Sequence, residues 1–185
     1  MDPSSVLIIA AVALPLWAIV LYNRLITRKN MVSEGWSGID VQLKRQANLI
    51  PNLIETVKGY MGHESDVLET VTALRSQSQK DSPPREQGVT QGLLGAALGR
   101  LMAVAEGYPD LKANQNFIDL QGQLSETEEQ IQLSRRYYNG AVRDLNILVE
   151  SFPSNLIANA FKFASAEFFE MEDPADRAVP EVSFD

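Results

Sequence analysis

The sequence predicts an all-α fold, in which one N-terminal transmembrane helix continues into an antiparallel, up-and-down four-helix bundle. An uncharged run of seventeen apolar residues lies near the N-terminus, and later apolar residues recur at alternating intervals of three and four. No segment shows the sustained period-two alternation of a β-strand. Long helices joined by short polar connections are typical of up-and-down bundles.

The apolar run is Val6–Tyr22, VLIIAAVALPLWAIVLY. As a helix it would be about 25 Å long, close to the ~30 Å hydrocarbon core of a bilayer. We therefore predict a transmembrane helix over residues 6–23, with residues 1–5 forming a short N-terminus on the outer side of the membrane.

The charges that flank this run predict its orientation. Only Asp2 is charged before it, and a polar and basic collar follows it, made of Tyr22, Arg24, Arg28 and Lys29. By the positive-inside rule the N-terminus is outside and the domain over residues 24–170 is cytoplasmic. The predicted span is single-pass.

Two other interpretations of the run fit less well. A cleaved signal peptide needs a basic n-region and a small-x-small cleavage site, whereas this N-terminus is acidic and no such site follows Tyr22. A buried core helix would not explain a basic collar at the extreme N-terminus.

Composition limits the function classes. The chain has no cysteine, which excludes disulfides and thiolate chemistry. From Asn30 onward there are 13 Lys and Arg against 23 Asp and Glu, a net charge of −10. This balance argues against a nucleic-acid partner, which would require a basic face. Within the chain, only the basic collar is placed to contact anionic headgroups. The lipid bilayer is the predicted partner of the transmembrane helix.

The first soluble segment, residues 30–79, is predicted to form one long, interrupted helix that continues from the membrane helix, and its four glycines should disturb it: Gly35, Gly38, Gly59 and Gly62. Its apolar residues follow the three-four spacing of a left-handed bundle; they are Trp36, Leu43, Ala47, Ile50, Ile54, Val57, Met61, Leu68 and Val71. Pro51 should kink this helix without ending it, because the apolar pattern stays in phase on both sides of the proline.

Three further helices are predicted. The second spans residues 83–106 with Ser82 as its N-cap, and its Gly88, Gly92, Gly95 and Gly99 form small-xxx-small pairs that permit close helix approach. The third spans residues 111–152. Its apolar residues at intervals of seven are Phe117, Leu124, Ile131, Tyr138, Leu145 and Phe152.

The fourth helix is predicted over residues 155–170, with Ser154 as its cap. The remaining residues, 171–185, contain two prolines and five acidic residues against one arginine. We predict that this acidic tail is disordered.

Motifs for catalysis are missing from the sequence. His63 is the single histidine, and the HExxH zinc motif is absent because position 67 is valine. There is no P-loop, no G-x-S-x-G, no dinucleotide-binding glycine motif and no Glu-x-x-His of a di-iron bundle. We therefore predict a protein that is not an enzyme and has no metal site and no cofactor.

The most unusual cluster lies just beyond the collar, and its residues form a candidate subunit contact: Gly35, Trp36, Gly38, Asp40, Lys44 and Arg45. Asp40 and Lys44 are an acid-to-base pair at i and i+4, which stabilises a helix by about 0.2–0.5 kcal/mol. Two interpretations stay open. The cluster either contacts a neighbouring subunit above the membrane, or supports the helix and packs within its own chain.

Three blocks of the sequence resemble the LemA family. They are WSGIDVQLKRQANLIPNLIETVKGYMGHE (residues 36–64), EGYPDLKANQNFIDLQGQLSETEEQI (106–131) and RRYYNGAVRDLNILVESFPSNLIA (135–158). The resemblance implies an antiparallel helical bundle behind a bacterial inner-membrane anchor with its N-terminus outside. It implies no activity. One branch of this family is associated with bacterial membrane organelles, and other members neighbour membrane proteases. Local departures are Gly38, Ala47 and the linker at residues 82–84.

These observations lead to two hypotheses of function. The first is a non-enzymatic scaffold that forms homo-oligomers on the inner face of the membrane and organises or shapes it. The second is an adaptor or accessory subunit of a membrane enzyme such as a protease, with other membrane proteins as partners.

Overall fold

The computed structural model describes residues 2–61 and 64–170, and the side chains of these residues except 5, 6, 8 and 10. Within this part of the chain there are six α-helices and no β-strand, which confirms the all-α prediction. The helices are α1 (Pro3–Lys58), α2 (Ser65–Ser78), α3 (Pro84–Ala105), α4 (Pro109–Lys112), α5 (Gln115–Glu150) and α6 (Ser154–Ala160). The four-helix count and the up-and-down order stay predictions.

The chain divides into two compact units, and both α1 and α5 contribute to each of them. The described part of unit 1 is residues 2–38 and 134–168. The described part of unit 2 is residues 39–61, 64–133 and 169–170.

The apolar segment near the N-terminus belongs to one helix that runs on without a break to Lys58. Pro51 lies inside α1, as predicted. The predicted helix over residues 30–79, however, is two helices, because α1 ends before Gly59 and α2 begins only at Ser65.

Unit 2 has a core to which α1, α2, α3, α4 and α5 contribute. The predicted apolar positions of the first soluble segment from Leu43 to Val71 are buried, and those from Ile50 onward belong to this core. Trp36, which lies in unit 1, is half-buried. The core of unit 2 also contains Leu53, fully buried, which the seven-residue spacing did not include.

Ser82 and Ser154, the predicted caps of two helices, do not occupy the N-cap positions in the structure. The N-cap of α3 is Pro83 and not Ser82. The Ser82 hydroxyl donates a hydrogen bond to Gln87 Oε1 at 2.8 Å, and Gln87 in turn donates to the Ser78 carbonyl at 2.6 Å. Ser154 is the first residue of α6, and its hydroxyl donates to the Ser151 carbonyl at 3.0 Å.

Unit 1 contains a smaller core in which Leu25 of α1, Leu145 of α5 and Ala158 of α6 are buried together. The predicted seam of the third helix is buried as far as Leu145, but Phe152 is 78% exposed because α5 ends two residues before it. Its prediction as a core residue was wrong.

The predicted fourth helix over residues 155–170 ends at Ala160. Lys162 then takes a left-handed conformation (φ 58°). The Lys162 N–H donates to the Asn159 carbonyl at 3.3 Å and the Phe163 N–H donates to the Ala158 carbonyl at 2.9 Å. These two bonds form a Schellman motif, which satisfies the last carbonyls of a helix.

Residues 164–170 have no regular secondary structure, and polar side chains of α5 hold this segment at Ala166 and Glu167. The Asn146 amide bonds both backbone groups of Ala166, donating to its carbonyl at 3.0 Å and accepting from its N–H at 2.8 Å. The Tyr138 hydroxyl donates to the Glu167 carbonyl at 2.8 Å. Burial, assisted by the charge of Glu167, raises the pKa of Tyr138 to about 12.

Candidate membrane and subunit contact sites

The first twenty residues present apolar side chains to the surroundings. The described large apolar side chains of this segment are between 42% and 71% exposed, and they are Leu7, Ile9, Val12, Leu14, Leu16, Trp17, Ile19 and Val20. Exposing so much apolar surface to water is unfavourable by roughly 25 cal/mol per Å². An exposed patch of this extent is typical of a membrane or protein interaction site.

The helix changes character at Leu21, which is buried, and Leu25 is fully buried in the core of unit 1. Leu21 lies two residues before the end of the predicted membrane segment, residues 6–23. The side chain of Tyr22 packs against two aromatic rings, with its ring centroid 4.7 Å from that of Phe161 and 5.8 Å from that of Phe163.

The basic members of the collar differ in their surroundings. Arg24 and Lys29 are exposed. Arg28 is half-buried and forms an ion pair with Asp144 of α5, with 3.3 Å between Nη1 and Oδ2. The sequence could not show that one collar cation faces a carboxylate of its own chain.

The candidate subunit contact has internal partners in unit 1. A Cβ atom on Gly35 would lie 3.0 Å from the Cα of Tyr138 and 3.1 Å from the ring of Tyr137, so α5 approaches α1 closely at this glycine. The Trp36 and Tyr138 rings pack with their centroids 5.6 Å apart. Gly38 is exposed and has more room, since its nearest atom would be Ser134 Oγ at 4.0 Å.

The charged members of the candidate contact lie in unit 2. Lys44 and Asp40 form the expected ion pair within α1. Arg45 forms an ion pair with Glu126 of α5, with 3.2 Å between Nη2 and Oε2. Gln46 donates to Glu128 at 3.4 Å. These contacts correspond to the second interpretation, packing within the chain, while the subunit contact stays a prediction.

Unit 2 also has an open polar groove of about 540 Å³ on α1 and α5. The residues that line it are Asn52, Glu55, Thr56, Asn116, Asp119, Leu120 and Gln123. Over the described ranges no group of three or more histidines, cysteines or carboxylates is arranged to hold a metal ion. His63 lies outside the described residues, as does the predicted tail at residues 171–185.

Among the helices of the described residues, α3 has the length and mean hydropathy (1.2) of a membrane span. Such a composition also occurs in core helices, and α3 contributes Leu94, Leu98 and Leu101 to the core of unit 2. Its other side is exposed, with Leu93 at 53%.

Comparison with known proteins gives matches over most of the chain. The model of the LemA family matches residues 35–184. Magnetosome protein MamQ 2 of Paramagnetospirillum magneticum is 27% identical, covering 93% of this chain and 73% of the relative. Magnetosome protein MamQ of Magnetospirillum gryphiswaldense is 24% identical with the same coverage, and Protein LemA of Metamycoplasma hominis is 24% identical, covering 82% of this chain and 69% of the relative.

The exposed apolar helix, the all-α fold and the bacterial relatives together define the class as a bacterial membrane protein with a helical domain. The chain belongs to the LemA family. None of the relatives' names denotes an enzyme.

Proposed function

We propose that this protein is a non-enzymatic scaffold of the bacterial inner membrane, which self-assembles on the cytoplasmic face and organises or shapes the membrane. The continuity of α1 is the observation that carries the proposal. The same helix exposes apolar side chains up to Val20, and immediately afterwards Leu21 is buried and Leu25 lies in the folded core of unit 1. An anchor of this kind holds the folded domain directly at the bilayer surface.

Confinement to the membrane favours assembly. Anchored chains diffuse in two dimensions, which raises their effective concentration, so weak contacts suffice for oligomers. Ser37 and Gly38 are exposed on α1 beyond the collar, within the predicted subunit contact. The relatives that are named magnetosome proteins support a role in an organised bacterial membrane structure.

Crosslinking in native membranes tests the scaffold. Because the chain has no cysteine, single cysteines can be placed by Ser37→Cys and Gly38→Cys, and we expect dimers and higher ladders after oxidation or bis-maleimide treatment. Ser76→Cys is the matched control, an exposed serine on α2 for which we expect little crosslinking. A monomer in several mild detergents and in nanodiscs, with no ladder in membranes, would exclude self-assembly.

The exposed side of α3 favours the adaptor as a second candidate. Leu93 and Val89 are exposed there, and no atom would lie within 4 Å of a Cβ atom on Gly92, Gly95 or Gly99. A partner helix could approach such a surface closely. An affinity purification from native membranes should recover a stoichiometric membrane protein with the wild type and lose it with Leu93→Glu, while the oligomeric state of the two proteins stays the same.

A further inference from the structure

The end of unit 1 that carries α6 has large apolar side chains on its surface. Phe152 is 78% exposed, Leu156 is 57% exposed and Phe161 is 58% exposed. Other residues of the same segment are well packed, since Ala158 is fully buried and Phe163 packs against the small core of unit 1. The segment is therefore folded onto unit 1, and more than half of the surface of three of its large side chains is exposed.

The contacts of α6 place it at the boundary of the membrane helix. Phe161 lies against Tyr22, with ring centroids 4.7 Å apart, and Ala158 shares a core with Leu25. Tyr22 ends the seventeen-residue apolar run. If this run crosses the hydrocarbon core, then α6 lies at the depth where the acyl chains meet the headgroups. Aromatic residues are enriched at this depth in membrane proteins.

The charge of the segment matches an anionic surface. Residues 151–165 contain Lys162 and no aspartate or glutamate, in a chain whose net charge is −8. Arg24 and Lys29 are exposed on the part of α1 that follows Tyr22. Lys162 holds the left-handed position that ends α6, a position where glycine is the usual residue.

We propose that α6 and its flanking turns are a second membrane-contact element, which inserts Phe152, Leu156 and Phe161 into the interface of the bilayer that the anchor crosses. Lys162 and Arg24 then lie among anionic headgroups, where each cation near an anionic surface strengthens binding. The bilayer is preferred over a second copy of the chain because the surface is continuous with the anchor through Tyr22. This inference rests on the proposed membrane anchoring.

Environment-sensitive labels on the full-length protein test the inference. Single cysteines from Phe152→Cys and Leu156→Cys are labelled with the fluorophore NBD, and the protein is placed in nanodiscs of phosphatidylcholine and phosphatidylglycerol, with or without nitroxide-labelled lipid. We expect blue-shifted emission that the nitroxide lipid quenches. Tyr137→Cys is the control, because Tyr137 is exposed on α5 about 20 Å before the end of that helix at Glu150 by helix geometry, and a label there should report water.

A label at Leu14→Cys distinguishes a failure of the proposed membrane anchor from a failure of the proposed α6 contact. Quenching at Leu14 with water-like emission at both Phe152 and Leu156 would overturn the inference and leave the anchor intact. Water-like emission at all positions would overturn both. Blue-shifted emission at Phe152 without quenching by lipid would show cover by protein, which also overturns the inference. Far-UV circular dichroism checks that each labelled variant is folded.

Discussion

Among the glycines of unit 2 that the structure describes, Gly88 on α3 has the closest neighbour. A Cβ atom there would lie 2.2 Å from the carbonyl oxygen and 2.7 Å from the carbonyl carbon of Glu170. The sequence marked Gly88 as one of four small residues on α3, but it could not show which of them faces a close neighbour. Gly92, Gly95 and Gly99 have open space where a Cβ atom would lie.

Gly88→Ala should therefore destabilise the protein. The methyl group would force the backbone at Glu170 to move, and overpacking of this kind costs about 1–3 kcal/mol. Gly92→Ala is the matched control on the same helix. It should stabilise the protein by up to about 1 kcal/mol, because alanine is the better helix former and meets no atom within 4 Å. Chemical denaturation of both variants checks this, and equal effects would contradict the close approach.

Asn146 shows that the sequence does not identify the hydrogen-bond partner of a side-chain amide. Asparagines within the predicted helices suggest that some of their amides form internal hydrogen bonds, since this residue disfavours a helix interior. The structure gives such a role to Asn146, which bonds both backbone groups of Ala166. Nothing in the local sequence identifies the backbone segment that an amide will bond, because Ala166 lies 20 residues after Asn146 and beyond the turns that end α5 and α6.

At the scale of elements, α1 passes through Pro51 with help from another helix. Proline has no N–H, so the carbonyl of residue 47, four positions earlier, loses its helical partner. In the structure the Arg75 side chain of α2 donates from Nε to the Ala47 carbonyl at 2.6 Å. Ala47 is buried, and water would not easily replace this bond. The arginine therefore compensates for the proline.

A double-mutant cycle tests this compensation. Arg75→Ala should cost about 1.5–3 kcal/mol, the range for a hydrogen bond with a charged partner. In the background of Pro51→Ala the same change should cost less, because an alanine at this position restores an N–H for the Ala47 carbonyl. Pro51 is exposed, so its replacement leaves the core intact. Urea denaturation gives the four free energies of unfolding, and strictly additive effects would contradict the coupling.

The fourth helix shows why an element prediction can fail in its second half. Apolar residues continue to Phe169 and favour a helix over residues 155–170. In the structure the turn at Lys162 ends the helix, and Asn146 and Tyr138 of α5 supply the hydrogen bonds that a helix would otherwise provide. Tertiary hydrogen bonds thus replace local ones, and the helical pattern alone gives no sign of them.

At the scale of the whole molecule, the sequence predicted the helical class and most buried positions. The seven-residue spacing found Ile50, Val57 and Leu145 because burial along a helix repeats regularly. The sequence did not predict that Phe161 is exposed beside the end of the apolar run. Its partner Tyr22 is 139 residues away along the chain, and only the fold brings the two rings together.

The orientation of the whole chain in the membrane is the prediction on which the cytoplasmic scaffold depends. By the positive-inside rule, the charges that follow Tyr22 predict that the folded domain lies on the cytoplasmic side. Ser4 and Ser76 are exposed in the structure and lie on opposite sides of the apolar segment along the chain. Since the chain has no cysteine, Ser4→Cys and Ser76→Cys each introduce a single reporter thiol.

In intact cells, an impermeant maleimide should label the cysteine at position 4 and leave the one at position 76 unlabelled. After lysis both should react, which serves as the control for accessibility. The reason is electrostatic, because Arg24 and the exposed Lys29 favour the side of the membrane that retains positive charge. Labelling of position 76 in intact cells would show that the orientation is the reverse of the predicted one. The α6 surface would then face the outer leaflet, and a cytoplasmic scaffold would be excluded.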